Sequence, residues 1–152
     1  MTVTLVPVTR DNLRAVCNLD AGDGGVQVAP NVMSLAQAAV NPEAWPRAVE
    51  ADGKLAGFVM LFDPSLAPPG QPPSEPHFYL WRLMIDRAQQ QRGLGREVVR
   101  LVIAHARTRP GLQRLLLSYR PPARHLARFY GSFGFEPTGE VDDGEIVMAL
   151  KL

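Results

Sequence analysis

The segment that most constrains this chain runs from residue 77 to residue 107. His77 to Asp86 is rich in aromatic and branched side chains and predicts a strand. Gly93 to Arg107 predicts a helix, because Val99, Val102, Ile103 and Ala106 recur at i, i+3, i+4 and i+7 and Pro110-Gly111 ends the pattern. Between them stands Gln90-Gln91-Arg92-Gly93-Leu94-Gly95-Arg96. A helix start leaves backbone N–H groups unpaired, and its dipole favours an anion. Glycines at 93 and 95 let the backbone approach a pyrophosphate with no Cβ in the way, and Arg92 and Arg96 offer charge-assisted bonds. The loop is not a P-loop, since no Gly-Lys-Ser/Thr follows. Nor is it a Rossmann fingerprint, since Val98 stands where the third glycine would be.

The rest of the chain reads as one α/β domain over residues 1–152. Thr2 to Val8 predicts a strand, and Thr9 a cap for a helix to about Leu19. Ala21 to Gly25 is a Gly/Asp loop. Asn31 or Ser34 would cap a second helix that Pro42 and Pro46 end. Arg47–Ala51, Asp52-Gly53 and Lys54–Phe62 predict a hairpin. Six prolines between Pro64 and Pro76 predict an extended surface loop. Leu112–Tyr119 reads as a strand, Pro122–Phe133 as a helix with Gly134 behind it, and Phe135–Val141 with Glu145–Lys151 as a last hairpin. The order is β-α-α-β-β-β-α-β-α-β-β, a mixed central sheet with helices on both faces.

Charge is unevenly spread. Residues 82–128 hold eleven arginines against Asp86 and Glu97, a net +9, while the segments on either side are each −4. A basic centre between acidic ends points to a polyanionic ligand in the middle. No stretch approaches the roughly 20 apolar residues of a membrane helix, and the start lacks a leader-like pattern. With one cysteine, Cys17, on an apolar stripe, the expectation is a cytosolic protein without a disulfide, a membrane anchor or a metal site.

Two motifs carry a resemblance. Gln90-x-x-Gly93-x-Gly95 after the fourth strand, and Phe129-Tyr130-Gly131-Ser132-Phe133-Gly134-Phe135 on and after the next helix, resemble the GCN5-related N-acetyltransferases. The element order matches over nearly the whole chain. A narrower likeness, to bacterial spermine/spermidine acetyltransferases, lies in Val28 to Ala38, Phe78 to Asp86, Thr138-Gly139-Glu140 and Asp143 to Met148. One departure is Ala123, seven residues before Tyr130, where the family often has an asparagine that contacts the cofactor.

The resemblance implies a fold, a cofactor and a mechanism. The strand at 77–86 would splay from the strand at 112–119, with acetyl-coenzyme A held in the gap by Leu83, Met84, Ile85, the loop Gln90 to Arg96, Arg124 and Phe129. An N–H of Met84 or Leu83 would polarise the thioester carbonyl, and Tyr130 would act as general acid to the departing sulfur. Spacing alone also allows Tyr130 a packing role on the Leu126/Phe129/Phe133 stripe. The acceptor would be a small cationic amine, foremost a polyamine, met by Asp20, Asp23, Asn31, Tyr79, Trp81 and Glu140. By strand alternation Tyr79, Trp81, Leu83 and Ile85 share a face. The base stays open among Glu75, His77 and water; His105 and His125, among solvated neighbours, are assigned no role. Family members commonly pair through C-terminal strands, so Glu145–Leu152 is an edge candidate for a homodimer. Other acceptors are a peptide N-terminus, a lysine or an aminoglycoside. A nucleic-acid-binding module is the alternative of another class, but the arginine block carries no RNA-binding signature and nucleic acid is not an expected partner.

Overall fold

The computed structural model describes residues 1–23 and 29–152, so part of the Ala21–Gly25 loop and residue 28 of the Val28–Ala38 likeness lie outside the described residues. The elements are β1 Val3–Pro7, α1 Leu13–Cys17, α2 Asn31–Val40, β2 Ala44–Ala51, β3 Lys54–Phe62, β4 Phe78–Ile85, α3 Leu94–Arg107, β5 Arg114–Tyr119, α4 Arg124–Gly131, β6 Glu136–Asp142 and β7 Glu145–Lys151. The order is the one the sequence predicts. Seven strands form one sheet in the order β1-β2-β3-β4-β5-β7-β6, antiparallel except for β4 with β5.

β3 is the spine of the sheet, buried throughout Ala56–Phe62. Its alternation feeds two cores. Val59 and Leu61 pack with α3 (Val98, Val99, Val102, Ile103, Ala106) and with Tyr130 of α4. Phe58 and Met60 pack on the opposite face with Val16 of α1 and with Leu35 and Ala38 of α2. Burying each large apolar side chain contributes about 1.5–3 kcal/mol, so the α3 stripe is a main source of stability. The Asp52-Gly53 turn that joins β2 to β3 has φ of 51° and 78°, both positive as a two-residue hairpin turn requires.

The structure corrects several sequence expectations. Thr9 does not cap α1. Asn12 locks the entry turn instead, its side chain accepting from Thr9 N–H at 2.7 Å and donating to Pro7 O at 3.0 Å, and the helix is only Leu13–Cys17. Leu13 is left 45% exposed and Cys17 half-buried, so the apolar stripe is buried only at Val16. Neither Asn31 nor Ser34 caps α2, which Pro30 precedes. The Asn31 side chain is buried and donates to Val16 O at 2.8 Å, tying α2 to α1. β7 is no edge strand, because β5 and β6 flank it; β6 is the edge at that end of the sheet. His105 is not among solvated neighbours. It stacks on Trp45 with ring centroids 4.1 Å apart and lies 3.8 Å from the buried carboxylate of Asp63.

A further correction bears on the site. Leu80 pairs with Leu61 and Arg82 with Met60, so Trp81 is an extra residue in β4. This bulge inverts the alternation. Leu80, Leu83 and Ile85 pack toward α3, whereas Trp81 and Met84 pack toward α1 and α2. Tyr79 and Trp81 therefore do not share a face with Leu83 and Ile85.

Candidate active site

β4 and β5 are paired only at Phe78–Leu115 and Tyr79–Leu116. Beyond that point the parallel strands separate, and β4 loses its neighbour on one side over Leu80–Ile85. Asp86 N–H donates to Ala56 O at 2.8 Å. Antiparallel alternation then turns the amide groups of Met84 toward β3 and those of Leu83 and Ile85 toward the gap. Gln90 Nε2 reaches Ile85 O at 2.9 Å from that open side. Of the two candidate carbonyl-polarising amides, Leu83 faces the gap and Met84 does not.

The loop after β4 is tied down from three directions. Asp86 accepts from Ala88 N–H at 3.2 Å and from Asp20 N–H at 2.9 Å, and Arg87 N–H donates to Asp20 O at 2.7 Å. Gln90 Nε2 also donates to Ala21 O at 2.8 Å. Gln91 (φ 64°) and Gly93 (φ 79°) lie in the left-handed region, and Gly93 sets the first turn of α3. Leu94 is buried against Ala51 and Ala56, fixing that end of the helix on the sheet. A Cβ on Gly95 would stand 3.8 Å from the Phe129 ring, so the surface here is flush with α4. Arg96 lies over Phe133, its guanidinium carbon 4.9 Å from the ring centre, and donates to Ser132 Oγ at 3.2 Å. Arg92 bonds Gln89, and Arg124 is exposed at the start of α4. Ala123 is buried, so its side chain offers no polar contact. The donor set is backbone N–H at a helix start with three arginines around it, which suits a pyrophosphate.

A cleft of about 950 Å³ opens where the strands part. Its walls include Tyr79, Trp81, Arg82 and Leu83 of β4, Leu116 to Tyr119 of β5, Leu126 and Tyr130 of α4, and Glu140 to Asp143 with Glu145 at the final hairpin. Glu75 and His77 also line it, brought there by the proline-rich loop. That loop is pinned at both ends by buried acids: Asp63 accepts from Ser65 N–H at 2.9 Å, and Glu43 from Ser74 N–H at 3.3 Å. Five carboxylates line the cleft against two arginines, Arg82 and Arg120, so an entering cation is favoured.

Tyr130 is 9% exposed and packs edge-on to Phe129 and Phe135, so it has both a core position and a place on the cleft wall. Burial pushes its pKa up to about 12. Tyr79 is also raised, first by burial; the Ser118 hydroxyl opposes the shift, while the charges of Asp142, Glu145 and Glu75 reinforce it. Burial lowers the pKa of Arg82, which donates to Trp81 O at 3.0 Å and Gln37 Oε1 at 3.1 Å.

Of the acceptor-side residues expected from sequence, Tyr79, Trp81 and Glu140 line the cleft; Asp20, Asp23 and Asn31 do not. Asp20 braces the loop after β4, and Asn31 joins the helices. Ser118, Arg82 and His125 line the cleft without having been singled out for the site. Glu145 lines it too, one of the acids of the final hairpin that the sequence places on the acceptor side.

Three kinds of similarity agree with this geometry. The sequence profile of the acetyltransferase (GNAT) family matches residues 13–135. A spermine/spermidine N(1)-acetyltransferase of Bacillus subtilis (strain 168) is 28% identical over 155 residues, covering the whole of both chains. Among solved structures, aminoglycoside acetyltransferase AAC(6')-Ib with coenzyme A and kanamycin superposes with a TM-score of 0.77 at 20% identity, over 99% of this chain and 95% of that one. Spermidine N-acetyltransferase from Vibrio cholerae with CoA and spermine gives 0.71 at 17%, over 98% and 95%.

Proposed function

The chain belongs to the acetyltransferase (GNAT) family, and from that premise we propose that it transfers the acetyl group of acetyl-CoA to a primary amine of a polyamine such as spermidine or spermine. One observation carries the acceptor class: the cleft between the parted strands holds five carboxylates against two arginines. The full-length similarity to spermine/spermidine acetyltransferase supports it.

The residues fit the cofactor. The N–H groups at the start of α3, with Arg92, Arg96 and Arg124, would hold the pyrophosphate, and the gap-facing backbone of Leu83 and Ile85 would hold the pantetheine arm. Gln90, Gln91, Gly93, Leu94 and Gly95 shape that surface, and Phe129 closes it. When bound, acetyl-CoA supplies an acetyl group activated as a thioester. Leu83 N–H would donate to the thioester carbonyl oxygen. Tyr130, held at about 12, keeps its proton at every working pH and donates toward the departing sulfur. Two protons leave the nitrogen, one before attack and one after the C–N bond forms; they pass to Glu75, His77 or water between them, and Tyr130 regains its own proton from solvent. The enzyme works in the cytosol as a homodimer joined along the exposed β6 edge.

The direct test is product analysis. Acetyl-CoA and spermidine incubated with the enzyme should yield monoacetylspermidine and free thiol in equal amounts; acetyl-CoA consumption without acetylated amine would refute the assignment.

A further inference from the structure

Glu145 differs from the other acids of the cleft. Glu75, Glu140, Asp142 and Asp143 are exposed, where water screens a charge and a side chain is costly to hold still. Glu145 is half-buried, and Ser118 Oγ donates to its Oε1 at 3.2 Å. Its position follows from the sheet. Ser118 pairs with Val147 and Tyr119 with Ile146, so Glu145, paired with Asp142 of β6, stands just past the stretch of β7 that pairs with β5, on the side where β5 has left β4. Tyr79, across the parting, lines the same cleft as Ser118 and lies in the field of Glu145.

No arginine or lysine nitrogen lies within ion-pair distance of Glu145 among the described residues. Arg82 feels its charge, but Gln37 and the Trp81 carbonyl hold that guanidinium toward α2. A partly desolvated carboxylate with one neutral donor and no cation retains acceptor capacity and gains from a cation more than an exposed acid does. The adjoining aromatic walls of Tyr79 and Trp81 suit an ammonium as well.

We propose that Glu145, fixed by Ser118, determines acceptor specificity by binding a second, non-reacting ammonium of the acceptor. This deepens the reading of the cleft as an amine site and rests on it. It separates acceptors by charge number: a polycation gains the contact, a monoamine does not.

The test uses the full-length enzyme with spermidine, n-butylamine and an aminoglycoside as acceptors, and calorimetric binding of spermidine in the presence of coenzyme A. Glu145→Gln should lower the spermidine-to-butylamine ratio of kcat/KM by about tenfold or more and weaken spermidine binding by a similar factor. Ser118→Ala, which frees the carboxylate without removing it, should lower the ratio by a smaller factor. Retained coenzyme A binding shows that each variant is folded. Equal losses for both amines, or no loss, overturn the role of Glu145 while leaving a polyamine acetyltransferase intact. A wild-type preference for an aminoglycoside that Glu145→Gln selectively abolishes overturns the polyamine reading and upholds Glu145. A wild-type preference for singly charged amines overturns both.

Discussion

Tyr79 and Leu116 form the last backbone pair between β4 and β5. The proposed site lies where that pairing ends. Past them β4 presents the amides of Leu83 and Ile85 to open space, while β5 carries Ser118 to the acceptor side. One sheet thus offers a backbone edge to an extended ligand and side chains to an amine.

The pyrophosphate surface is tested by Gly95→Glu. A glutamate here meets Phe129 and sets a negative charge beside phosphate oxygens. In thermal denaturation, acetyl-CoA should raise the Tm of the parent and leave that of the variant unmoved. Equal protection of both proteins would place the cofactor elsewhere.

Tyr130→Phe removes one hydroxyl from a packed ring. The expected fall in kcat is about ten- to a thousandfold, with coenzyme A affinity nearly unchanged. The buried phenol also makes a pH prediction. Its folded pKa, about 12, lies above the ordinary value of 10.0, so the folded state holds this proton more tightly than the unfolded chain. Stability from this group is complete below pH 10 and is lost as pH climbs toward 12, by about 2–3 kcal/mol in all. Urea titrations over that interval should show a shallower decline for Tyr130→Phe than for the parent; parallel curves would deny the phenol its burial.

Gly57 of β3 leaves no room for a side chain against β4. A Cβ there would lie 2.5 Å from Met84 O and 3.0 Å from Ile85 Cδ1. Gly57→Ala must push β4 outward, at a cost of about 1–3 kcal/mol by the usual scale of overpacking. Because the same strand carries Leu83, kcat/KM should fall along with the urea midpoint. An unchanged midpoint would show that β4 accommodates the methyl group.

Much of this was legible in the sequence where the signal is local. The α3 stripe, the Asp-Gly turns and the glycine loop are each set by residues within a few positions of one another. The bulge at Trp81 was not legible, because it arises from the register between β3 and β4 and no residue of β4 announces it. The interior place of β7 was hidden for a related reason: a hairpin pattern reveals that two strands pair, not which one meets the rest of the sheet. Asn31 was read as a cap or a substrate contact because its buried partner, Val16 O, is fifteen residues away. Ser118 and Glu145 are 27 residues apart and meet only because β5 and β7 are neighbours.

The β6 edge offers an assembly surface. Val141 there is 67% exposed on a strand with an unpaired side. Light scattering at micromolar concentration should give twice the mass of one 16.7 kDa chain, and Val141→Lys should return the monomer. A monomeric parent would remove the dimer from the account.

Acetyl transfer to a polyamine is tested most directly by kcat/KM, followed by thiol release, for spermine, spermidine, putrescine, a lysine-containing peptide and an aminoglycoside at low and high salt. Spermine or spermidine should give the highest value, falling as salt screens the cleft carboxylates. No turnover of polyamines alongside brisk turnover of the peptide or the aminoglycoside would contradict it.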